Sequence, residues 1–472
     1  MVTEGDAESG GSIAGWVPRD SLTRGSRCGV IRATALAWAV GALGGCTLIT
    51  DSFLTNGFSG DPYPIDVETS SGAIVVGMRQ TADASDRVAV LDLLSPFTVI
   101  DQDPDLAPSV SYVDVTLLGK APPGDPLGGP VDLSTAVPRA RFTEAQMISL
   151  HPCDMESATC NVGPTGARAF AAIIGADVLA GDAVRLRLGD NQIFVLPDVG
   201  GSDRDRSLDC EAVFDSPYRG GGTLVIAGTE LPFGNRRITL QACLGPEPDL
   251  DPEPLKRTPQ SQRGADALLV MSTGIGISII DEAAYERYRN AHVAAAPPAL
   301  ATLPVDSVFL PSGQVTGHRA KLAALTLVAA SIANALAPCR QVYAHHLLAE
   351  RDCTAADDCP CETTNTFCAV PAMLELTPPA GVDVLVVPDT EPTLQALRTE
   401  LRPDQPEVDG LLGTDVLRAA EIDVDYPHDR LIGRCPGGNC SARPQLAQER
   451  DRCQINRCIY GLADPAKLAG CL

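Results

Sequence analysis

Aromatic side chains are scarce in this 472-residue chain, 20 in all, so there is no aromatic platform for stacking nucleobases or sugars. Basic residues are short as well: 36 Lys and Arg stand against 60 Asp and Glu, a formal charge of −24. Phosphate neutralisation needs clustered Lys and Arg, so a nucleic-acid partner is excluded. The six histidines are scattered, and their spacing assembles no catalytic triad. Long hydrophobic runs are missing too. Leu322–Ala337 is interrupted by Thr326, Ser331 and Asn334 and falls short of a bilayer span. What is present is a hydrophobic content of 44%, typical of a globular chain and too high for wholesale disorder. The length points to two domains or one large bilobal unit.

Cysteine is the abundant exception. Sixteen cysteines in an acidic chain favour an oxidising compartment, where disulfides persist. Ala33–Gly45 is a short apolar run preceded by Arg24, Arg27 and Arg32, the order of a secretion signal, and it is too short for a lasting anchor. It ends in Leu43-Gly44-Gly45-Cys46, which resembles a bacterial lipobox. Small residues there admit a signal peptidase to the backbone, and the Cys46 thiol accepts a diacylglycerol. Thr47 rather than Asp follows the cysteine, which favours the outer membrane or cell surface of a Gram-negative bacterium. The expected partner is therefore the membrane, through lipid on Cys46. The stretch 1–32 is long for such a signal and fits a start codon placed too early. Cleavage would remove four acidic and four basic residues and leave the charge unchanged. It would also remove Cys28; with Cys46 lipidated, fourteen cysteines remain, an even number that allows up to seven disulfides.

The rest of the chain repeats itself. Val88–Asp101 (VAVLDLLSPFTVID) and Leu268–Asp281 (LLVMSTGIGISIID) lie 180 residues apart, each an apolar strand, a polar turn and a second apolar strand. At the same offset Arg139–Phe142 matches Arg319–Leu322, and His151-Pro152-Cys153 then matches Ala337-Pro338-Cys339. Ile173–Leu179 (IIGADVL) and Leu411–Leu417 (LLGTDVL) lie 238 apart. From there Ala183–Leu186 stands opposite Glu421–Val424, and Ile193-Phe194 opposite Leu431-Ile432. The turns Gly189-Asp190-Asn191 and Tyr426–Asp429 make each of these a β-hairpin. Ordered blocks in one register indicate a duplication.

Each copy also opens with a hairpin. The first runs Ile65–Arg79, a turn at Thr81–Arg87, then the Val88 strand; the second runs Thr223–Ala242, then the Ala267 strand. The five-proline segment Leu244–Arg263 is an exposed turn between the second pair, and Leu322–Ala337 is core, matching Phe142–Leu150. Short apolar or alternating runs between Gly and Pro make the class mainly β, with helices predicted at Glu282–His292 and Leu394–Leu401. The expected organisation is a signal peptide at 1–45, a linker at 46–61, a first lobe at 62–215, a second lobe at 216–436, and a Cys-rich tail at 437–472. A Cys-rich insertion at about 339–368 interrupts the second lobe.

An apolar strand, an Asp-Thr-Gly-like turn, a second apolar strand, and later two hydrophobic residues and a glycine before a hairpin: this combination resembles the retropepsin and pepsin-like aspartic peptidases. The resemblance covers about residues 62–436. It implies a bilobal, pepsin-like architecture built from two retropepsin-like β-barrel copies about a pseudo-twofold axis. It also implies that Asp92 and Ser272 hold the equivalent positions of a catalytic pair. Leu93 and Leu94 in one loop, and Thr273 and Gly274 in the other, would support that pair, with Gly175 and Gly413 bracing the loops from below. The first loop keeps the aspartate but has Leu93 and Leu94 for Thr and Gly; the second keeps Thr273 and Gly274 but has Ser272 for the aspartate. The family's chemistry needs two carboxyls sharing a proton. A serine hydroxyl, titrating far above neutrality, cannot replace one without its own base, and a branched Leu94 is expected to crowd the partner loop. The expected function is thus a non-catalytic binding or structural role, with an extended peptide or protein ligand in the interlobe cleft. The alternative is an aspartic endopeptidase acting through Asp92, with an unusual second site at Ser272.

Other constellations are weaker. Cys339, Cys353, Cys359, Cys361 and Cys368 gather near His345 and His346, but the Cys-Pro-Cys spacing is not that of a zinc knuckle, and disulfides are expected instead. Cys153 with Cys160, and Cys210 with Cys243, are candidate pairs, and Cys435, Cys440, Cys453, Cys458 and Cys471 staple the tail. Asp101–Asp105 lacks the Gly and distal Glu of a calcium loop. Arg219–Gly222 reads as a turn before a strand, and Gly274-Ile275-Gly276 is too incomplete for a phosphate loop. No Gly-x-Ser-x-Gly elbow surrounds Ser272. Neither a metal nor a cofactor is expected.

Overall fold

The computed structural model describes residues 57–59, 64–67, 69, 72–80, 86–101, 105–119, 138–150, 172–196, 211–215, 217–245, 264–291, 296–310, 313–329, 338–339, 341–342, 371–376, 378, 380–401, 407–436 and 440–443. The first lobe begins with β1 (Gly57–Ser59), β2 (Ile65–Asp66), β3 (Ile74–Gln80), β4 (Asp86–Leu91) and β5 (Thr98–Asp101). It continues through β6 (Ser109–Leu118), β7 (Pro138–Leu150), β8 (Ala172–Ile174) and the one-turn helix α1 (Ala176–Leu179). The hairpin β9 (Ala183–Arg187) and β10 (Gln192–Leu196) follows, then β11 (Ala212–Asp215). The second lobe runs through β12 (Tyr218–Ile226), β13 (Thr229–Gly245), β14 (Ala265–Met271), β15 (Ser278–Asp281) and α2 (Glu282–Ala291). Next come β16 (Val305–Leu310), β17 (Gly313–Leu322), β18 (Ala324–Val328), β19 (Met373–Leu376), β20 (Val382–Val387) and α3 (Pro392–Leu401). The last elements are β21 (Gly410–Leu412), α4 (Thr414–Leu417), β22 (Glu421–Asp425), β23 (Arg430–Arg434) and β24 (Cys440–Arg443).

The two lobes share one pairing scheme. In the first, β4 and β8 are parallel, β8 and β5 antiparallel, and β5 and β7 parallel, while β6 pairs with both β3 and β7 and closes the sheet on itself. In the second, β14 with β21, β21 with β15 and β15 with β20 repeat that order and those directions. This is the bilobal, mainly β, pepsin-like architecture that the sequence implied. The helices at 282–291 and 392–401 lie where their patterns placed them.

The pairing also corrects the sequence alignment. In the second lobe β17 pairs with β20 and β18 with β13, so β17 and β18 together stand where β6 stands, and β20 where β7 stands. Arg319–Leu322, in β17, is therefore the counterpart of β6 and not of Arg139–Phe142 in β7. Likewise 324–328 is core, as expected, but is not the match of Phe142–Leu150. Neighbouring strands of a hairpin alternate alike, and only the pairing partner distinguishes them. Three boundaries move as well. β1, placed in the linker, pairs with β7, and β24, placed in the tail, extends the second-lobe sheet beyond β19. Thr223–Ala242 is not one strand: it turns at Ala227-Gly228, and Gly220–Gly222 lies within β12 instead of in a turn before it.

Between the lobes runs a six-stranded sheet in the order β11-β23-β22-β9-β10-β2. At its centre β9 meets β22 with Val184 opposite Val424, Arg185 opposite Asp423 and Leu186 opposite Ile422. Positions 185 and 423 occupy equivalent places in the two lobes, so like charges here would face each other and repel. Instead Arg185 grips the fully buried Asp423 with Nε at 2.7 Å and Nη2 at 2.9 Å, and Arg434 adds Nη1 at 2.6 Å. Burial alone would raise the Asp423 pKa; the Arg185 hydrogen bond and both guanidinium charges hold it below the usual carboxylate range. One apolar core spans this seam, joining Leu91 and Leu93 of the first lobe to Leu269 and Met271 of the second through Leu186, Ile422 and Val424.

Candidate functional site

The loops that follow β4 and β14 meet at the pseudo-twofold axis. Each is fixed from behind by the same set of bonds. Asp92 N donates to Ile174 O and Ser272 N to Leu412 O, both at 3.0 Å. Ala176 N reaches Ser95 O at 2.8 Å, and Thr414 N reaches Ile275 O at 3.0 Å. Gly175 N donates to Thr98 Oγ1, as Gly413 N does to Ser278 Oγ, each at 3.0 Å. A Cβ at Gly175 would lie 2.4 Å from Phe97 O, and one at Gly413 would lie 2.7 Å from the Ile277 carbonyl carbon. Only glycine lets these strands approach so closely, which is why each hydrophobic pair ends in one.

The same hydroxyls pass the brace on to a half-buried carboxyl. Thr98 Oγ1 donates to Asp177 Oδ1 at 2.7 Å, and Ser278 Oγ to Asp415 Oδ1 at 3.0 Å. Burial raises both carboxyls, Asp415 to about 7 despite hydrogen bonds from Val416 N and Ser278, with the Asp383 charge adding to the rise. Asp177 rises against the nearby Arg236 charge. Sequence reasoning missed these four residues. Their signal was a polar residue recurring at the 180 and 238 offsets inside otherwise apolar blocks.

At the axis itself the loops differ. Ser272 Oγ donates to Asp92 Oδ1 at 3.1 Å, so the two residues singled out from the sequence are in direct contact. The same oxygen accepts Leu94 N at 3.0 Å and Gly274 N at 3.1 Å. A Cβ at Gly274 would sit 2.6 Å from Asp92 Cγ, so this glycine is what admits the carboxyl. Thr273 Oγ1 accepts Leu93 N at 3.0 Å and donates to Leu91 O at 2.7 Å, tying the second loop to the first. Leu93, its counterpart, has no hydroxyl to return the bond and is fully buried in the main core.

Leu94 does not crowd the partner loop. Its side chain is buried in the second-lobe core with Leu268, Val270, Ile275 and Ile277, and is the sole first-lobe member of that cluster among the described residues. Buried there, the leucine acts as a plug from one lobe into the other, worth about 2–3 kcal/mol of burial. Asp92 is partly exposed by surface area yet lies deep in the seam; desolvation raises its carboxyl above the ordinary range, opposed by its three donors and the charge of Arg237. Ser272 has no exposed surface. Chemically, the site holds one titratable acid and one buried hydroxyl that serves as its donor.

Two disulfides lie among the described residues. Cys243 pairs with Cys339, overturning the expected Cys210–Cys243 bond; Cys339 N also donates to Asp266 Oδ1 at 2.8 Å, seating its turn beside β13. Cys435 pairs with Cys440. Cys46, the signal segment 1–45, Cys153, Cys160, Cys210, the Cys353–Cys368 group, His345, His346, Cys453, Cys458 and Cys471 lie outside the described residues. Among those described, no cluster of His, Cys, Asp and Glu could hold a metal ion, and no helix is long and apolar enough to cross a membrane.

No family model matches the sequence, and no curated protein does. Among solved structures the chain is similar to an aspartic proteinase from Irpex lacteus, with 10% identity and a TM-score of 0.33, over 79% of this chain and 97% of that one.

Proposed function

We propose that this chain is a cell-envelope lipoprotein, tethered through lipid on Cys46, whose aspartic-peptidase-like fold serves a non-catalytic, binding or structural role. The observation that carries the reading is the Ser272 Oγ–Asp92 Oδ1 hydrogen bond. Cleavage by a carboxyl pair requires two acids sharing a proton, one to activate water and one to protonate the leaving group. Here the second position offers a hydroxyl already committed as donor and closed to water. Asp92 is thereby held as a latch between lobes. The Cys243–Cys339 and Cys435–Cys440 bonds fit the oxidising compartment that the signal-like segment and Leu43–Cys46 imply.

The test is digestion of an unfolded protein substrate from pH 3 to 8, with Asp92→Asn as control. No cleavage by folded, disulfide-bonded protein is expected at any pH; cleavage that Asp92→Asn abolishes would establish a one-carboxylate peptidase instead. Labelling with a radioactive fatty acid, lost in Cys46→Ala, checks the anchor.

A further inference from the structure

The hairpin of β12 and the first half of β13 belongs to the second lobe by connection but to the first by packing. Its buried side chains Ile226, Leu231 and Phe233 cluster with Phe97 and Ile148, and partly buried Leu224 joins them against Val99 and Val110. Among the described residues, every member of that cluster outside the hairpin comes from the first lobe. Phe233 meets Phe97 edge-on, centroids 5.3 Å apart at 77°. Arg236 lies over the same ring at 5.6 Å and donates from Nη1 to Pro96 O at 2.8 Å. The gripped segment is the one that leaves Asp92.

The base of the hairpin is built differently from its arm. The register shifts between Arg219 and Gly221, and Gly220 there has φ +80°. On the facing strand Asn235 has φ +51°, at the same level of the ribbon. Below this level Arg237 is locked to Glu400 by hydrogen bonds of 2.9 and 2.8 Å, and Thr239 N holds Pro217 O at 2.9 Å. Above it, among the described strands, β12 pairs with β13 alone. A two-stranded ribbon is marginal in water unless one face is covered, and the cover here is the other lobe.

We infer that residues 221–236 form a hinged clasp, turning about Gly220 and Asn235, that grips the first lobe when closed and uncovers Phe97, Val99, Val110 and Ile148 when open. The clasp opens as one unit while both lobes stay folded, a local transition below global unfolding.

Amide hydrogen exchange on the full-length protein tests this. In the wild type, Leu224–Ile226 and Leu231–Phe233 should exchange at one common rate, faster than Leu240–Leu244 of the same strand. Phe233→Ala should raise exchange of the hairpin and of Phe97–Ile100 by about tenfold or more, since it removes a ring pair and its buried area. Leu240–Leu244 and Val88–Leu91 should keep their wild-type rates. Arg236→Gln should give the same pattern at lower amplitude, and it decides the matter if Phe233→Ala does not fold. Exchange that rises evenly across both lobes, or stays unchanged at Phe97–Ile100, would overturn the clasp.

Discussion

The loop after β4 carries Asp92, Leu93 and Leu94; the loop after β14 carries Ser272, Thr273 and Gly274. Beneath them the two lobes agree bond for bond, from the Ile174 and Leu412 carbonyls to the Thr98–Asp177 and Ser278–Asp415 braces. At the tips they are complementary rather than alike. An acceptor in one faces a donor in the other, a leucine stands where the other has a glycine, and one threonine hydroxyl ties both loops. The same holds at Arg185 and Asp423, where equivalent positions carry opposite charges. The frame that aims two loops at one point is independent of what the loops do there. In this chain it aims them into a contact that closes.

Restoring symmetry at the axis should break that contact most severely. Ser272→Asp would place a second carboxyl beside Asp92 in a position without exposed surface. Two carboxylates so close cannot both ionise, so a loss of about 3–5 kcal/mol is expected at pH 8. The loss should shrink near pH 4, where one proton is shared; urea unfolding at both pH values measures it. Equal stability at pH 8 would mean that water reaches the seam.

Size asymmetry comes next. Leu94→Ala should cost about 2–4 kcal/mol by opening a hole in the second-lobe core. Gly274→Ala should cost about 1–3 kcal/mol, because its Cβ would press on Asp92. Chemical denaturation of the two variants compares them; a neutral Gly274→Ala would show that the Asp92 carboxyl can withdraw freely.

A last contrast separates the two braces by pH. Asp415 is pushed up to about 7 in the folded chain from an ordinary 3.8. The native state therefore holds an extra proton between those values, and this group's stability contribution is full below about pH 4 and lost as pH rises to about 7. The slope is at most about 1.4 kcal/mol per pH unit. Asp415→Asn should flatten the stability profile across that window. Asp177 is raised in the same direction but against the Arg236 charge, so Asp177→Asn should flatten the profile less. Thermal melts across pH 4–8 distinguish the two; parallel profiles would show that Arg236 does not matter to Asp177.

Much of the frame was legible because it is local. Strand–turn–strand blocks and the two hydrophobic-hydrophobic-Gly segments follow period-2 alternation and turn chemistry, which a one-dimensional pattern records. The clasp was not legible. Gly220–Gly222 carries no strand propensity, and the apolar face of Leu224, Ile226, Leu231 and Phe233 has its partners on the other lobe. Leu94 read as a clash because the core that receives it belongs to the second lobe, far away in sequence.

The sequence by itself determined which residues stand at 92 and 272, the order of the two lobes and the strands that carry them, since each depends on neighbours along the chain. Tertiary structure decided that Ser272 donates to Asp92, that Leu94 fills the opposite core, that Cys243 bonds Cys339, and which strand matches which. Those outcomes are contacts between distant residues, and only the pairing of sheets in space brings them within bonding range.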